Sequence, residues 1–178
     1  MLTLYKADYN SPIGKIICFC DCDSIIRLLL PCDHEQQTNE YLLKKIGPFK
    51  VREANKTALR VCHELELYFN KKLRHFSVQP SFLLGSDFAK MVWEKLLDVP
   101  YGKLACYQGV ADSCHLKGSR AVGNAIGSNP IPIIVPCHRI IRKNGQLGGF
   151  RGGEDAKRTL LHVEGHSFDE RLSPSYFL

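Results

Sequence analysis

No stretch of this sequence stays apolar for long. The densest run, Ile25 to Cys32, is broken by Arg27, far short of the ~20 apolar residues that a membrane-spanning helix needs, and no signal-peptide core precedes it. The expectation is a protein of the cytoplasm, or of the nucleus in a eukaryotic cell, with no membrane partner. An excess of proline or glycine is lacking too, with nine and fourteen in 178 residues, which excludes a fibre or a low-complexity tail. With 44% apolar and 24% charged residues the chain is globular and long enough for at most two small domains. Acidic residues are the third scarcity. Eighteen against 24 basic residues give a net charge of +6, and from Lys117 to Gly153 there are six basic residues (Lys117, Arg120, Arg139, Arg142, Lys143, Arg151) and no Asp or Glu. That stretch reads either as a solvated basic loop or as a surface for phosphates.

Cysteine, by contrast, is plentiful, with eight in the chain. Disulfide frameworks belong to small secreted chains without a sufficient core, so these thiols are expected to be reduced and most of them to serve as small core residues. Cys18, Cys20 and Cys22 alternate as one face of a strand would. Together with Cys32 and His34 they leave a metal site as the competing reading.

The first third reads as strands. Leu2 to Tyr9, Gly14 to Cys20 and Ser24 to Leu30 are β-branched or apolar runs separated by Asn10-Ser11-Pro12 and Asp21-Cys22-Asp23, residues that let a meander reverse. Asn55 then caps a helix whose Ala58, Val61, Cys62, Leu65, Tyr68 and Phe69 form one stripe, and Phe76 to Pro80 returns as a strand. The pattern changes near Pro80 to Gly85, which divides the chain into residues 1–85, a structural α+β domain, and residues 86–178. In the second part Asp87 is expected to cap a helix carrying Phe88, Met91, Val92, Leu96 and Val99, stopped by Pro100-Tyr101-Gly102. Helical segments follow at Tyr107 to Asp112, Ser119 to Gly127 and Glu154 to Glu164, the last with Ala156, Leu160 and Val163 facing inward. The first two, joined tightly inside the basic region, outline a helix-turn-helix.

The second of those helices carries few large side chains. Ala121/Ala125 and Gly123/Gly127 pair at i, i+4, although glycine costs a helix ~1 kcal/mol relative to alanine. Tight helix packing would explain the smallness. Close approach to a nucleic-acid groove explains both the smallness and the charge of Lys117 and Arg120.

Between this helix and the last lies a stiff apolar segment, Asn129 to Ile141, that delivers Cys137, His138 and Arg139. A thiol near pKa ~8.5 becomes a useful nucleophile only with a base or positive field beside it, and His138 and Arg139 offer both. Neighbours on extended backbone point to opposite faces, so direct contact of Cys137 with His138 requires a turn or a bridging water. A base needs an orienting acceptor in turn, for which Glu164 is the candidate. His162 and His166 are expected at the surface. Cys137-His138 as a zinc site is the competing reading, but the spaced pairs of structural zinc sites are missing.

Pro136-Cys137-His138-Arg139, preceded by Asn129-Pro130 and followed by Gly148 to Gly153, resembles the active-site signature of the O6-alkylguanine-DNA alkyltransferases. The resemblance runs from about Phe88 to Gly165 and includes Arg120-Ala121-Val122-Gly123 and Glu164-Gly165. It implies an α+β protein with an N-terminal ribonuclease-H-like domain built on a small antiparallel sheet, and a mostly helical C-terminal domain holding a helix-turn-helix and the active-site cysteine. It also implies single-turnover repair of O6-alkylguanine, and by extension O4-alkylthymine. Cys137 would take the alkyl group, with Glu164 and His138 activating it through a water and Arg139 buttressing the site. Asn129 would hold the turn, and Tyr107 would give a proton to the departing purine and crowd the phosphate of the flipped nucleotide. Arg120 would fill the space left by that base. Tyr107, Gln108, Lys117, Ser119, Ala121, Gly123 and Asn124 would meet the DNA, with Ala125 beside them on the groove-facing side. Ile126, Val135, Ile140, Leu147, Gly148, Phe150 and Arg151 would wall the pocket.

The resemblance implies no cofactor and no metal, and as partner only double-stranded DNA containing O6-alkylguanine, bound by a monomer. Phe150 stands where many relatives carry tyrosine, Arg151 replaces a smaller residue, and Cys106 stands where a serine would cap the Tyr107 helix. Two other readings compete: a reader or regulator that binds alkylated DNA without repairing it, and a cysteine hydrolase, for which no oxyanion-hole motif is evident.

Overall fold

The computed structural model describes residues 1–167. The chain divides into two compact units, the first ending at Leu84 and the second beginning at Gly85.

In the first unit β1 (Leu2–Ser11), β2 (Gly14–Cys20) and β3 (Ser24–Leu29) form the expected antiparallel meander. The Asp21 carboxylate accepts from the backbone N–H groups of Asp23 and Ser24, which closes the second turn. The sheet is mixed rather than antiparallel throughout. β4 (Phe49–Glu53) adds to β1 in parallel and β5, only Gln79–Pro80, adds to β3 in parallel, giving the order β4-β1-β2-β3-β5. The sequence reading missed β4 and also α1 (Glu35–Ile46). Both are weakly patterned: α1 buries only Thr38 and Leu42 and its cap residue His34 makes no side-chain bond, and four of the five residues of β4 are exposed.

Leu42 packs with Leu4, Phe19 and Ile26, whereas the Cys18 thiol reaches the carbonyl of Ala58 in α2 (Lys56–Phe69). Phe19 and Cys18 are consecutive on β2, so the two helices cover opposite faces of the sheet. Asn55 caps α2 as expected, accepting from the Ala58 N–H at 2.9 Å. The buried carboxylate of Glu64 takes the backbone N–H groups of Ser77 and Val78 and the Ser77 hydroxyl, which ties the chain leading into β5 to α2. Cys18 and Cys20 are buried, but Cys22 is exposed beyond the end of β2, so the three do not share a core face.

In the second unit α3 (Asp87–Leu97) is capped by Ser86, whose hydroxyl accepts from Ala89 N–H, and not by Asp87, which lies in the first turn. Its buried face is Ala89, Val92, Trp93 and Leu96. β6 (Ala105–Cys106) leads straight into α4 (Tyr107–Ser113), followed by α5 (Arg120–Gly127); these are the two helices that the sequence outlined, joined by the six residues 114–119 rather than by a tight turn. The Cys106 sulfur caps α4, accepting from Gly109 N–H at 3.4 Å. The Trp93 indole donates to the carbonyl of Ala125 at 2.7 Å and fixes α5 on α3. Ala125 is therefore buried, and it does not belong to the groove-facing set of small residues. β7 (Ile140–Ile141) pairs with β6 in parallel, and α6 (Glu154–Val163) closes the unit through Leu161, packed with Leu104, Ile141 and Leu147. No helix among the described residues is long and apolar enough to cross a membrane.

Candidate active site

The segment after α5 is folded around one side chain. Asn129, 2% exposed, donates from Nδ2 to the carbonyl of Val135 and accepts at Oδ1 from the N–H of Ile131, both at 2.9 Å. These two bonds close a tight loop in which Ile133 adopts φ +76°, a conformation that a β-branched residue holds only when its surroundings enforce it. The loop ends in a single 3₁₀ turn over Cys137–Arg139. This turn, rather than extended backbone, presents the three chemical side chains, and all three are buried.

Two of them converge on Glu164 at the C-terminal end of α6. His138 Nε2 lies 2.9 Å from Oε1, and Arg139 donates from Nε and Nη2 to the same carboxylate at 3.0–3.1 Å. The backbone N–H of Gly102 donates to Oε2 at 3.0 Å, and the second arm of Arg139 donates to Val99 O at 2.6 Å. The Pro100-Tyr101-Gly102 stop after α3 is thereby tied to the same carboxylate. Burial alone would raise the Glu164 pKa, but His138 and Arg139 outweigh it and hold the carboxyl well below its usual range. For His138 burial dominates and keeps the imidazole below its ordinary value. An ionised carboxylate only accepts, so Nε2 carries the proton, and the neutral ring has its basic lone pair on Nδ1.

Cys137 borders a cavity of about 260 Å³ lined also by Tyr107, Gly123, Ile126, Gly127, Asn129, Pro132, Gly149, Phe150 and Arg151. Burial pushes its thiol up, opposed by a hydrogen bond from the Asn129 side chain and by the positive charges of Lys157 and Arg151. Arg151 also donates to the carbonyl of Asn129 at 3.1 Å. Of the expected walls, Ile126, Phe150 and Arg151 line the cavity. Val135, Ile140 and Leu147 do not; they are buried in the core behind it. Gly148 acts indirectly. At φ +69° it leaves room for Tyr107, since a Cβ there would lie 2.8 Å from the phenol oxygen. The Tyr107 phenol is raised, first by burial and then by Cys137.

On α5 the expected contacts fall on one face. Arg120, Ala121 and Asn124 are exposed, as is Lys117 just before the helix, while Ser119 and Gly123 are half-buried. Gln108 is exposed on α4 and donates to Asp112 at 2.7 Å. His162 is exposed, but His166 is half-buried, with its backbone N–H bonded to Leu161 O.

Sequence reasoning missed Lys157. It is fully buried, and its ammonium donates to the carbonyls of Ile140, Leu147 and Gly149 at 2.6, 2.5 and 3.3 Å. The inward stripe of α6 is therefore Lys157, Leu160, Leu161 and Glu164, at i, i+3, i+4 and i+7, with Val163 buried beside it as expected, whereas Ala156 is half-buried. That spacing was the available signal. Burial lowers the Lys157 pKa to about 8, so at neutral pH the group is still a cation that both frames the cavity wall and lowers the thiol. Lys157→Met is expected to destabilise the fold by about 3–5 kcal/mol, because three buried carbonyls lose a charged donor. It should also slow alkylation of Cys137 by iodoacetamide at pH 7, where the lysine is still charged. The urea midpoint and the rate of carbamidomethylation check the two effects.

The chain matches two family models along most of its length: one described as the ribonuclease-like domain of 6-O-methylguanine DNA methyltransferase, over residues 4–81, and one as the DNA binding domain of the same protein, over residues 87–166. It is 37% identical over 165 residues to the methylated-DNA--protein-cysteine methyltransferase of Haemophilus influenzae, covering 92% of this chain and 88% of that one. It is 37% identical over 169 residues to the protein of that name from Methanosarcina acetivorans, covering 91% and 99%. Among solved structures, Mycobacterium tuberculosis OGT in complex with DNA superposes with a TM-score of 0.76 at 31% identity, covering 96% of both chains.

Proposed function

Because the chain belongs to the 6-O-methylguanine DNA methyltransferase family, we propose that it repairs DNA by moving the alkyl group of O6-alkylguanine irreversibly onto Cys137. The observation that carries the reading is the cavity itself: a cysteine at its wall, a histidine on the same turn paired with a glutamate from the end of α6, and a helix of small residues beside it. We divide the work between residues 1–85, a structural domain, and residues 86–178, which bind DNA and carry the chemistry.

The target carbon is hidden inside a duplex, so the base has to be rotated out at a cost of a few kcal/mol. Arg120, exposed at the start of α5, fills the vacated stack. Lys117, Ser119, Ala121, Gly123 and Asn124 on that face, with Gln108 and Tyr107 on α4, meet the minor groove and its phosphates. In the cavity the purine packs between Phe150, Ile126 and the Arg151 backbone. The thiol proton passes through a water to His138 Nδ1, and Glu164 stabilises the imidazolium while Arg139 holds the carboxylate in place. The thiolate attacks the alkyl carbon. An S–C bond forms, the C–O6 bond breaks with its electron pair going to the purine, and Tyr107 supplies the proton that leaves neutral guanine. A thioether has neither a good leaving group nor a carbonyl for water to attack, so each molecule reacts once.

The side chains assigned to the chemistry belong to one chain, so a monomer suffices, and none of the steps draws on a cofactor. The substrate places the protein with chromosomal DNA, in the cytoplasm or, in a eukaryote, in the nucleus. Intact-protein mass spectrometry after incubation with O6-methylguanine duplex tests the reading: one added methyl, mapped to Cys137, is expected. Unchanged mass with tight binding would instead make the protein a reader of alkylated DNA.

Arg120→Ala tests the extrusion step separately. Repair of a duplex should fall about tenfold or more, since each ~1.4 kcal/mol of lost stabilisation is a factor of ten, while reaction with free O6-benzylguanine should hold within about twofold. Equal losses on both substrates would reject the extrusion role.

A further inference from the structure

We propose that the exposed turn Arg142–Gln146 is a second phosphate grip, holding the DNA backbone beside the cavity from a surface other than α5; the inference rests on the DNA reading above. Its position follows from strand register. Ala105 pairs with Ile140 and Cys106 with Ile141, and these two strands lead directly into Tyr107 and Arg142, near enough for the Arg142 charge to act on the phenol. Tyr107 lines the cavity, and its ring lies close enough to α5 that a Cβ on Gly123 would be 3.8 Å away. The tyrosine is thus neighboured by α5 and by the basic turn.

The turn is built to hold its shape. Arg142 N–H donates to Gln146 O at 2.8 Å, Gly145 N–H donates to Arg142 O at 2.9 Å with Gly145 at φ +82°, and the Asn144 side chain accepts from Gln146 N–H at 3.1 Å. Arg142 Nη1 also donates to the Gln146 amide oxygen at 3.3 Å, a neutral acceptor that leaves the charge uncancelled. Arg142 and Lys143 are exposed, and among the described residues neither is in an ion pair. The Arg142 charge is felt at the Tyr107 hydroxyl, which it acts to lower. Two uncancelled cations on a pre-formed turn next to the tyrosine suit two neighbouring backbone phosphates better than a solvated loop, because the ordering is already in place before DNA arrives.

The double variant Arg142→Gln/Lys143→Gln tests this in the full chain. Binding to an undamaged duplex should weaken, and the slope of log K against log salt should fall by about 2, since each phosphate contact contributes about 0.9 to that slope. A scan replacing single phosphates around an O6-methylguanine by neutral methylphosphonates should find one or two positions where the parent protein loses affinity and the variant loses nothing further. A slope equal to the parent's, or no phosphate coupled to the two side chains, would overturn the proposal. The charge-reversing pair Arg142→Glu/Lys143→Glu should steepen the loss, and its failure to do so would overturn it as well. Those outcomes leave the alkyl-transfer reading standing, which would fail separately if the parent protein gained no methyl on Cys137.

Discussion

Cys137→Ser is expected to bind O6-methylguanine duplex as the parent does and to transfer no measurable methyl, a rate loss of about 10⁴ or more. The substitution keeps a small polar side chain on the 3₁₀ turn, so the Asn129 loop and the His138–Glu164 pair have no reason to move. What changes is the nucleophile. A thiolate is polarizable and accessible near neutral pH, whereas an alkoxide is not populated there, and nothing in the cavity compensates. In the parent the burial that raises the Cys137 thiol is opposed by Asn129, Lys157 and Arg151; an alcohol starts too far above neutrality for the same groups to matter. Intact mass after an hour with excess methylated duplex, beside a binding isotherm, separates the two functions. Methyl transfer at the parent rate would move the nucleophile to another thiol, and loss of binding with loss of transfer would mean that the fold had been damaged.

The placement of this site was legible because its side chains are concentrated in sequence. Pro136-Cys137-His138-Arg139 sets the proposed nucleophile, base and cation on consecutive residues, and Asn129 with Pro130 marks the loop that presents them. Helix caps at Asn55 and the turn at Asp21 were legible for the same reason, since each satisfies its own neighbours within three residues. What the sequence hid was either weakly amphipathic or non-local. The exposed α1 and the edge strand β4 contribute little to the core, so their apolar spacing is thin. Lys157 was hidden because lysine on an amphipathic helix ordinarily marks the wet face; only the three carbonyls that surround it, from residues 8 to 17 positions away, make it an inward residue. The pocket walls show the same limit. Val135, Ile140 and Leu147 are apolar neighbours of the signature, but whether an apolar side chain lines a cavity or backs it depends on which way the chain turns.

Glu164→Gln should produce the second large effect, because one carboxylate serves both the reaction and the fold. For the proposed reaction, the amide keeps the shape but removes the negative charge that would stabilise imidazolium as His138 takes the thiol proton. A fall in methyl transfer of about 10²–10⁴ is expected, the range that a positioned acid–base system contributes. For the fold, the substitution leaves the buried guanidinium of Arg139 facing a neutral group, and breaking a buried pair from one side costs about 3–5 kcal/mol. The pH dependence distinguishes this from a simple packing defect. The Glu164 carboxyl is held below its ordinary value in the folded state by His138 and Arg139, so its stabilisation is fully present above the unfolded pKa of ~4.3 and is lost as the pH falls through the lower folded value. Below the unfolded pKa the unfolded chain binds the extra proton, so parent stability declines with acid. The variant, with no carboxyl there to titrate, should show a shallower decline from pH 5 to 2 and a lower plateau near pH 7. Circular dichroism of urea unfolding at a series of pH values measures both, and methyl-transfer rates taken where the variant is fully folded separate the kinetic loss from the stability loss. Parallel acid profiles for the two proteins would remove Glu164 as the ionised centre of the site, and a parent-like transfer rate would remove it from the proton path.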